Sequence, residues 1–211
     1  MGRFPVLAGA DLDVEAGDVV LLSGPNGAGK TSLLRLCAGL LPLRSGAAEV
    51  LGCDLARDRR SLRRRLSFVG HETFCYDDLT VAENLRFAAR AVGRGVAEAD
   101  FAIARVGLGS QANVVHSRLS QGQRRRLAFA IALARDPELL LLDEPHAGLD
   151  ADGRAVVDEV VRVAAADGRT ILIASHELDR VRQLATREVE IVGGQVRLPV
   201  APDPEPVEVS P

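Results

Sequence analysis

Apolar residues fall along this chain in two distinct rhythms. Three short runs, Val19–Leu22, Leu139–Leu142 and Thr170–Ala174, are almost wholly apolar and do not alternate with polar positions. An unbroken apolar run of this length predicts a strand buried on both faces. Between the runs, apolar residues recur every three or four positions, which predicts helices with one buried face. One such helix follows Thr31 and carries Leu33, Leu34, Leu36, Cys37 and Leu40. Thr80-Val81-Ala82-Glu83 is a capping box that opens a second, with Leu85, Phe87, Ala88 and Val92 on its apolar side and Gly93 and Gly95 at its end. A third runs from about Val96 to Val106, and Ser120 caps a fourth that carries Leu127, Phe129, Ala130 and Leu133. Residues 151–166 and Glu177–Leu184 are also helical. Residues 4–14 alternate loosely and predict strand and turn, and Ala48–Leu51 and Leu66–Gly70 predict short strands. Gly193-Gly194 between Glu188–Val192 and Gln195–Leu198 signals a hairpin. Strands separated by helices form a mostly parallel sheet, so the fold class is α/β. One domain is expected over residues 1–198, with a helical insertion at about 77–118. Pro199–Pro211, rich in Pro, Val and Glu, is expected to be a disordered tail.

Three of the apolar runs end in chemistry. Val19–Leu22 leads into Gly24-Pro25-Asn26-Gly27-Ala28-Gly29-Lys30-Thr31-Ser32, which reads G-x-x-x-x-G-K-T, the pattern of a phosphate-binding loop. Gly24, Gly27 and Gly29 let the backbone curl so that its N–H groups face an anion, and the following helix adds unpaired N–H groups. Lys30 is suited to the β- and γ-phosphates, and the Thr31 hydroxyl to Mg²⁺. Leu139–Leu142 leads into Asp143-Glu144, where Asp143 is suited to Mg²⁺ and Glu144 to polarising a water. An exposed acidic turn before Pro145 is the alternative. Thr170–Ala174 leads into Ser175-His176. Ligands bind beyond the carboxyl ends of strands in such sheets, so the three groups are expected to converge.

Composition sharpens one residue and excludes some roles. Lys30 is the only lysine in the chain; every other strongly basic side chain is an arginine. A crowded phosphate cradle accommodates the thin ammonium stem better than a planar guanidinium. The net charge of −3 gives no electrostatic case for a nucleic-acid partner. The arginine-rich stretch Arg57–Arg65 reads as a solvated helix face. Cys37, Cys53 and Cys75 lack metal-ligand spacing and read as free thiols in a reducing compartment. The start lacks a charged segment followed by an apolar run, which predicts no signal peptide, and no apolar stretch is long enough to span a membrane.

Leu119-Ser120-Gln121-Gly122-Gln123 is the next most specific stretch, with Ser120 at a helix N-cap and Gly122 in the first turn. Taken alone it is a capped helix or a second anion site. Together with the phosphate loop and Asp143-Glu144 it resembles the ATPase subunit of ATP-binding cassette (ABC) transporters. The resemblance runs from about Val6 to Leu198. Gly24–Thr31 corresponds to the Walker A motif, Leu119–Gln123 to the signature, Leu140–Glu144 to Walker B, Ala147–Asp150 to the D-loop and Ser175-His176 to the switch histidine. The resemblance implies a P-loop NTPase fold with a small antiparallel β-subdomain and an inserted helical subdomain. It implies ATP and Mg²⁺ as cofactors, with two subunits packing head to tail so that one chain's phosphate loop and the other's Ser120, Gly122 and Gln123 enclose ATP, Asp150 lying beside the site. Glu144 would be the general base and His176 would contact the γ-phosphate. A separate integral-membrane permease is the implied partner, which places the chain in the cytoplasm on the inner face of the cell membrane.

The sequence departs from the family pattern at three places. Gln121 stands where many members have glycine, a position where variation is tolerated. His71 stands where the family usually has the Q-loop glutamine, and Gly70-His71-Glu72 is similar to the ATPases of cytochrome c maturation haem exporters. The family also stacks adenine on an aromatic residue ahead of the phosphate loop, and Phe4 is the one aromatic before Lys30. A chain start upstream of Met1 is the alternative explanation of that last departure. The expected function is ATP hydrolysis that powers transport through the permease, with haem export as the subfamily reading. The alternatives are a nucleotide-gated module with weak or no hydrolysis, an exporter of another substrate, and an ABC ATPase of DNA repair or translation.

Overall fold

The computed structural model describes residues 7–197. Its centre is a six-stranded sheet in the order β4-β5-β6-β1-β7-β8. In chain order the strands are β1 (Val19–Ser23), β4 (Leu66–Val69), β5 (Leu139–Asp143), β6 (Thr170–Ala174), β7 (Arg187–Val192) and β8 (Gln195–Arg197). β4, β5, β6, β1 and β7 pair in parallel, and only β8 runs antiparallel, as the return arm of the hairpin. A separate two-stranded antiparallel ribbon joins β2 (Glu49–Val50) to β3 (Cys53–Asp54).

The wholly apolar runs are explained by two cores. Val19, Leu21, Leu140, Leu142, Ile171 and Ile173 point into one, whereas Val20, Leu22, Leu139, Leu141, Leu172 and Ala174 point into the other. Each central strand is therefore covered on both faces, so neither alternate set of side chains is free to be polar. The first core is closed by α2 (Val81–Ala91), α3 (Val96–Arg105), α4 (Gln121–Ala134) and α5 (Ala151–Ala166), which contribute Leu85, Ile103, Phe129 and Val160 among others. The second is closed by α1 (Lys30–Cys37) through Leu33 and Leu34, together with Leu55 and Leu62. A short α6 (Leu178–Arg182) follows β6.

The caps read from sequence form as expected. Thr80 and Glu83 exchange side-chain and backbone bonds at the start of α2, and Ser120 and Gln123 do the same at α4. The two ends of the stretch 77–118 meet: Ser117 N donates to Asp77 O at 3.1 Å, and His116 N to Leu79 O at 2.9 Å. α2 and α3 share the first core with α4.

Five expectations are corrected. The helix after Thr31 ends at Cys37, so Leu40 lies beyond its apolar face and is exposed. Residues 7–14 form no strand; Leu7, Leu12 and Val14 pack against the second core, and the stretch meets the hairpin through Ala8 N to Gly194 O rather than through a ladder. Phe87 does not share the buried face of α2 and is 52% exposed. At about 100° per residue it lies about 200° around the helix from Leu85, and its ring instead meets Tyr76 edge to face. Arg57–Arg65 contains only one 3₁₀ turn, Ser61–Arg64. There Asp58 accepts bonds from the N–H groups of Arg60 and Ser61, a local alternative to helix, and Arg65 forks onto Glu138. The last helix is shorter than Glu177–Leu184, since Glu177 stands outside it as its N-terminal boundary. Phe4, Leu198 and the tail 199–211 lie outside the described residues.

Candidate active site

The phosphate loop is a backbone device, and its neighbours enforce its shape. Gly24, at φ +127°, passes so close to β7 that a β-carbon there would lie 2.1 Å from Ile191 O. Gly29, at φ +115°, is the N-cap of α1 and offers no side-chain cap. The first-turn N–H groups of α1 therefore have no side-chain competitor, and no acidic residue stands in that turn to repel an anion. The hairpin supports the loop from outside, because Gly194 N donates to Ala28 O at 3.0 Å. Lys30 is buried, and its ammonium donates to Gly24 O at 2.7 Å and Pro25 O at 3.1 Å. The positive charge is thus held across the loop itself. Pro25, Asn26 and Gly27 form its exposed rim, and Ser32 is half-buried in the first turn of α1.

Register brings the other two strand ends beside this loop. Asp143 is opposite Ala174 in the β5–β6 pair, and Glu144 N continues the ladder to Ala174 O at 2.8 Å. The Thr31 hydroxyl donates to Asp143 Oδ1 at 3.0 Å. The hydroxyl and the carboxylate are hard oxygen donors of the kind that suits Mg²⁺, so this pair fits the ion. Glu144 and His176 form a second pair: His176 N donates to Glu144 Oε2 at 3.2 Å, and its Nε2 lies 3.3 Å from Oε1. Glu144 adopts φ +50°, a left-handed conformation that costs a non-glycine residue roughly 1–2 kcal/mol.

The remaining sequence candidates are distributed around this centre. Asp150 caps α5, accepting a bond from Gly153 N at 2.8 Å. Ser120 and Gln123 satisfy each other as a capping box, and a β-carbon added at half-buried Gly122 would meet only Leu149, next to Asp150, at 3.8 Å. Among the described residues no hydrogen bond joins Ser120, Gly122 or Gln123 to the loop 24–31. His71 is exposed just beyond β4, with no hydrogen bond to Glu144, Asp143 or His176.

Sequence reasoning missed two contributors. One is the hairpin prop at Gly194. The other is Arg125, in the second turn of α4. It is buried, at 8% exposure, and its guanidinium donates to the carbonyls of Asp143 at 3.0 Å, Glu144 at 2.6 Å and Pro145 at 3.4 Å, and to that of Gly70. Burial pushes its pKa below the usual arginine range, while the charges of Asp143 and Glu144 oppose that shift. The signal for it in the sequence was an arginine on the same face as Ala128, Phe129 and Ala132, which are buried in α4.

These features define a P-loop ATPase cassette. Residues 7–147 match the ABC transporter family. The chain is similar to the cytochrome c biogenesis ATP-binding export protein CcmA of Nitrobacter winogradskyi, 40% identical over 192 residues that cover 91% of this chain and 93% of that protein. It is similar also to the octopine permease ATP-binding protein P of Rhizobium meliloti, 36% identical over 215 residues that cover 92% and 82%. Among solved structures, the dimeric structure of an ATP-binding cassette in a post-hydrolysis state with ADP and Pi superposes with a TM-score of 0.84 at 24% identity, over 91% of this chain and 88% of that one. The chain belongs to the ABC transporter family, of which it is an ATP-binding and ATP-hydrolysing subunit. Among the described residues no helix is long and apolar enough to cross a membrane.

Proposed function

We propose that this subunit hydrolyses ATP at a composite site between two ATPase subunits and thereby powers export through a separate membrane permease, the cargo being haem for cytochrome c biogenesis. The observation that carries the reading is the pairing of Thr31 with Asp143 and of Glu144 with His176 at the carboxyl ends of neighbouring strands. Lys30 and the loop Gly24–Ser32 bind the triphosphate through backbone N–H groups and one ammonium. Thr31 and Asp143 are the residues that would hold Mg²⁺, which when bound supplies positive charge beside the phosphates. The Glu144 carboxylate accepts the proton of the attacking water, and the His176 backbone N–H and imidazole hold that carboxylate in place.

Ser120, Gly122 and Gln123 serve the ATP of a partner subunit across the interface, with Asp150 beside them. That assignment rests on their separation from loop 24–31 within this chain and on the dimeric cassette similar to it. The helical stretch 77–118 acts as a subdomain, and the segment that joins His71 to it, with exposed Phe74 and Tyr76, faces the permease. The subunit works on the cytoplasmic face of the membrane.

Two experiments test the reading. Phosphate release by the purified full chain is expected to fall roughly 10²-fold or more in Glu144→Gln, and an unchanged rate overturns it. For the cargo, a deletion strain is expected to lose c-type cytochromes and to regain them with the wild-type chain but not with Glu144→Gln. Normal cytochrome levels in the deletion strain favour another cargo, a reading supported by the similarity to the octopine permease protein.

A further inference from the structure

We infer that Arg125 is the positioning residue of the hydrolytic centre: from α4 it fixes the backbone of Glu144 and locks it to the segment leading into His71. The inference rests on the reading of Glu144 as the base.

Arg125 is a buried cation with no salt-bridge partner among the described residues. Removing a charge from water is costly unless strong dipoles replace the water. Here the replacement is a ring of main-chain carbonyls from two separate segments: Gly70 after β4, and Asp143, Glu144 and Pro145 after β5. The ring of Phe129, one turn along α4, lies 5.8 Å below the guanidinium. A planar fork with five donors meets several carbonyls at once in a way that a single ammonium does not.

What the fork holds is specific. Glu144 is one of four described non-glycine residues at positive φ. Its N–H donates to Ala174 O, and its carbonyl accepts from Arg125 Nη2 at 2.6 Å and more weakly from Ala147 N at 3.2 Å, so both flanking peptides of a strained residue are held. From that backbone the carboxylate meets the backbone N–H and the imidazole of His176. Arg125 stands five residues after Ser120 on one rigid helix, and its bond to Gly70 reaches the residue just before His71. A shift of α4 or of the His71 segment therefore acts on the Glu144 backbone through one side chain. A strap that merely held the fold together would have no reason to converge on the peptide units around the base.

The test uses the full-length chain with Arg125→Met and Arg125→Gln, and with Glu144→Gln as reference. It reads phosphate release against ATP concentration, binding of a fluorescent ATP analogue, and the thermal midpoint. The expected result is a kcat roughly tenfold or more below wild type, with KM and analogue affinity within about threefold, because the loop around Lys30 is untouched. A folded variant that keeps kcat within about twofold overturns the inference, as does a KM that rises as far as kcat falls. Failure of both variants to fold also overturns it, since Arg125 would then be a scaffold residue. If Glu144→Gln turns over at the wild-type rate, the reading of Glu144 fails and takes this inference with it. If Glu144→Gln is inactive while the Arg125 variants are not, only this inference fails.

Discussion

Glu144 and His176 meet twice, once through the backbone N–H of His176 at 3.2 Å and once through its imidazole at 3.3 Å. The backbone contact survives any substitution at position 176 except proline, and the imidazole contact does not. His176→Ala is therefore expected to lower kcat roughly ten- to a hundredfold, leaving the affinity for ATP within about threefold, as measured by phosphate release and analogue binding. An equal loss in both would mean that the imidazole serves binding.

Gly24 has no room for a methyl group. A β-carbon would fall 2.1 Å from Ile191 O, in a backbone conformation that L-residues rarely adopt. Gly24→Ala is expected to destabilise the protein by at least about 2 kcal/mol in urea unfolding and to abolish binding of the ATP analogue. At Gly27, where a β-carbon meets nothing within 4 Å, the same substitution carries only the cost of positive φ and is expected to be milder.

His146 gives the fold a pH dependence. It is buried, and its Nε2 lies 2.9 Å from Asp158 Oδ1, while Arg180 occupies the other oxygen of Asp158. Burial lowers its pKa, and the bond to Asp158 opposes this without reversing it. The unfolded chain then takes up the proton first as pH falls through about 6.5. Stability contributed by neutral His146 is present above that pH and is lost as pH falls toward the folded-state value. Urea unfolding at several pH values is expected to show wild type losing more stability between neutral and mildly acid pH than His146→Gln. Parallel curves would remove His146 as the cause.

Cys37 at the end of α1 is pushed up to about 11 by burial, and Cys75 is also raised by burial. The thiolate is the reactive form, so at pH 8 roughly one Cys37 in a thousand is poised to react. Labelling of the native protein with a thiol reagent is expected to be at least about tenfold slower at Cys37 than in urea. Equal rates would place Cys37 in an open environment.

Much of the site was legible because short-range physics writes it into adjacent residues. The glycine spacing of the loop, the capping boxes at Thr80 and Ser120, and the apolar runs of β1, β5 and β6 each depend on neighbours a few positions away. The one lysine stood out by composition, and the loop that it crosses is its own preceding segment.

Tertiary structure decided what depends on distant segments. The ends of the apolar strands were expected to converge, but only the strand order β4-β5-β6-β1-β7-β8 sets the direct bond of Thr31 to Asp143, 112 positions apart. Phe87 has an apolar side chain in an amphipathic helix, yet its azimuth turns it to solvent. Residues 7–14 carry a strand-like pattern, but they lie over the second core without joining a ladder. Nothing local distinguishes Arg125 from its neighbours Arg124 and Arg126; the fold puts Gly70, 55 positions away, and the peptides around Glu144 within its reach. Sequence by itself determined which backbone segment takes the curled, glycine-rich shape of the candidate phosphate cradle, because that depends on local conformational freedom. Only the fold decided what holds the acidic pair in place, because a buried charge is stabilised by whichever dipoles the packed chain delivers to it.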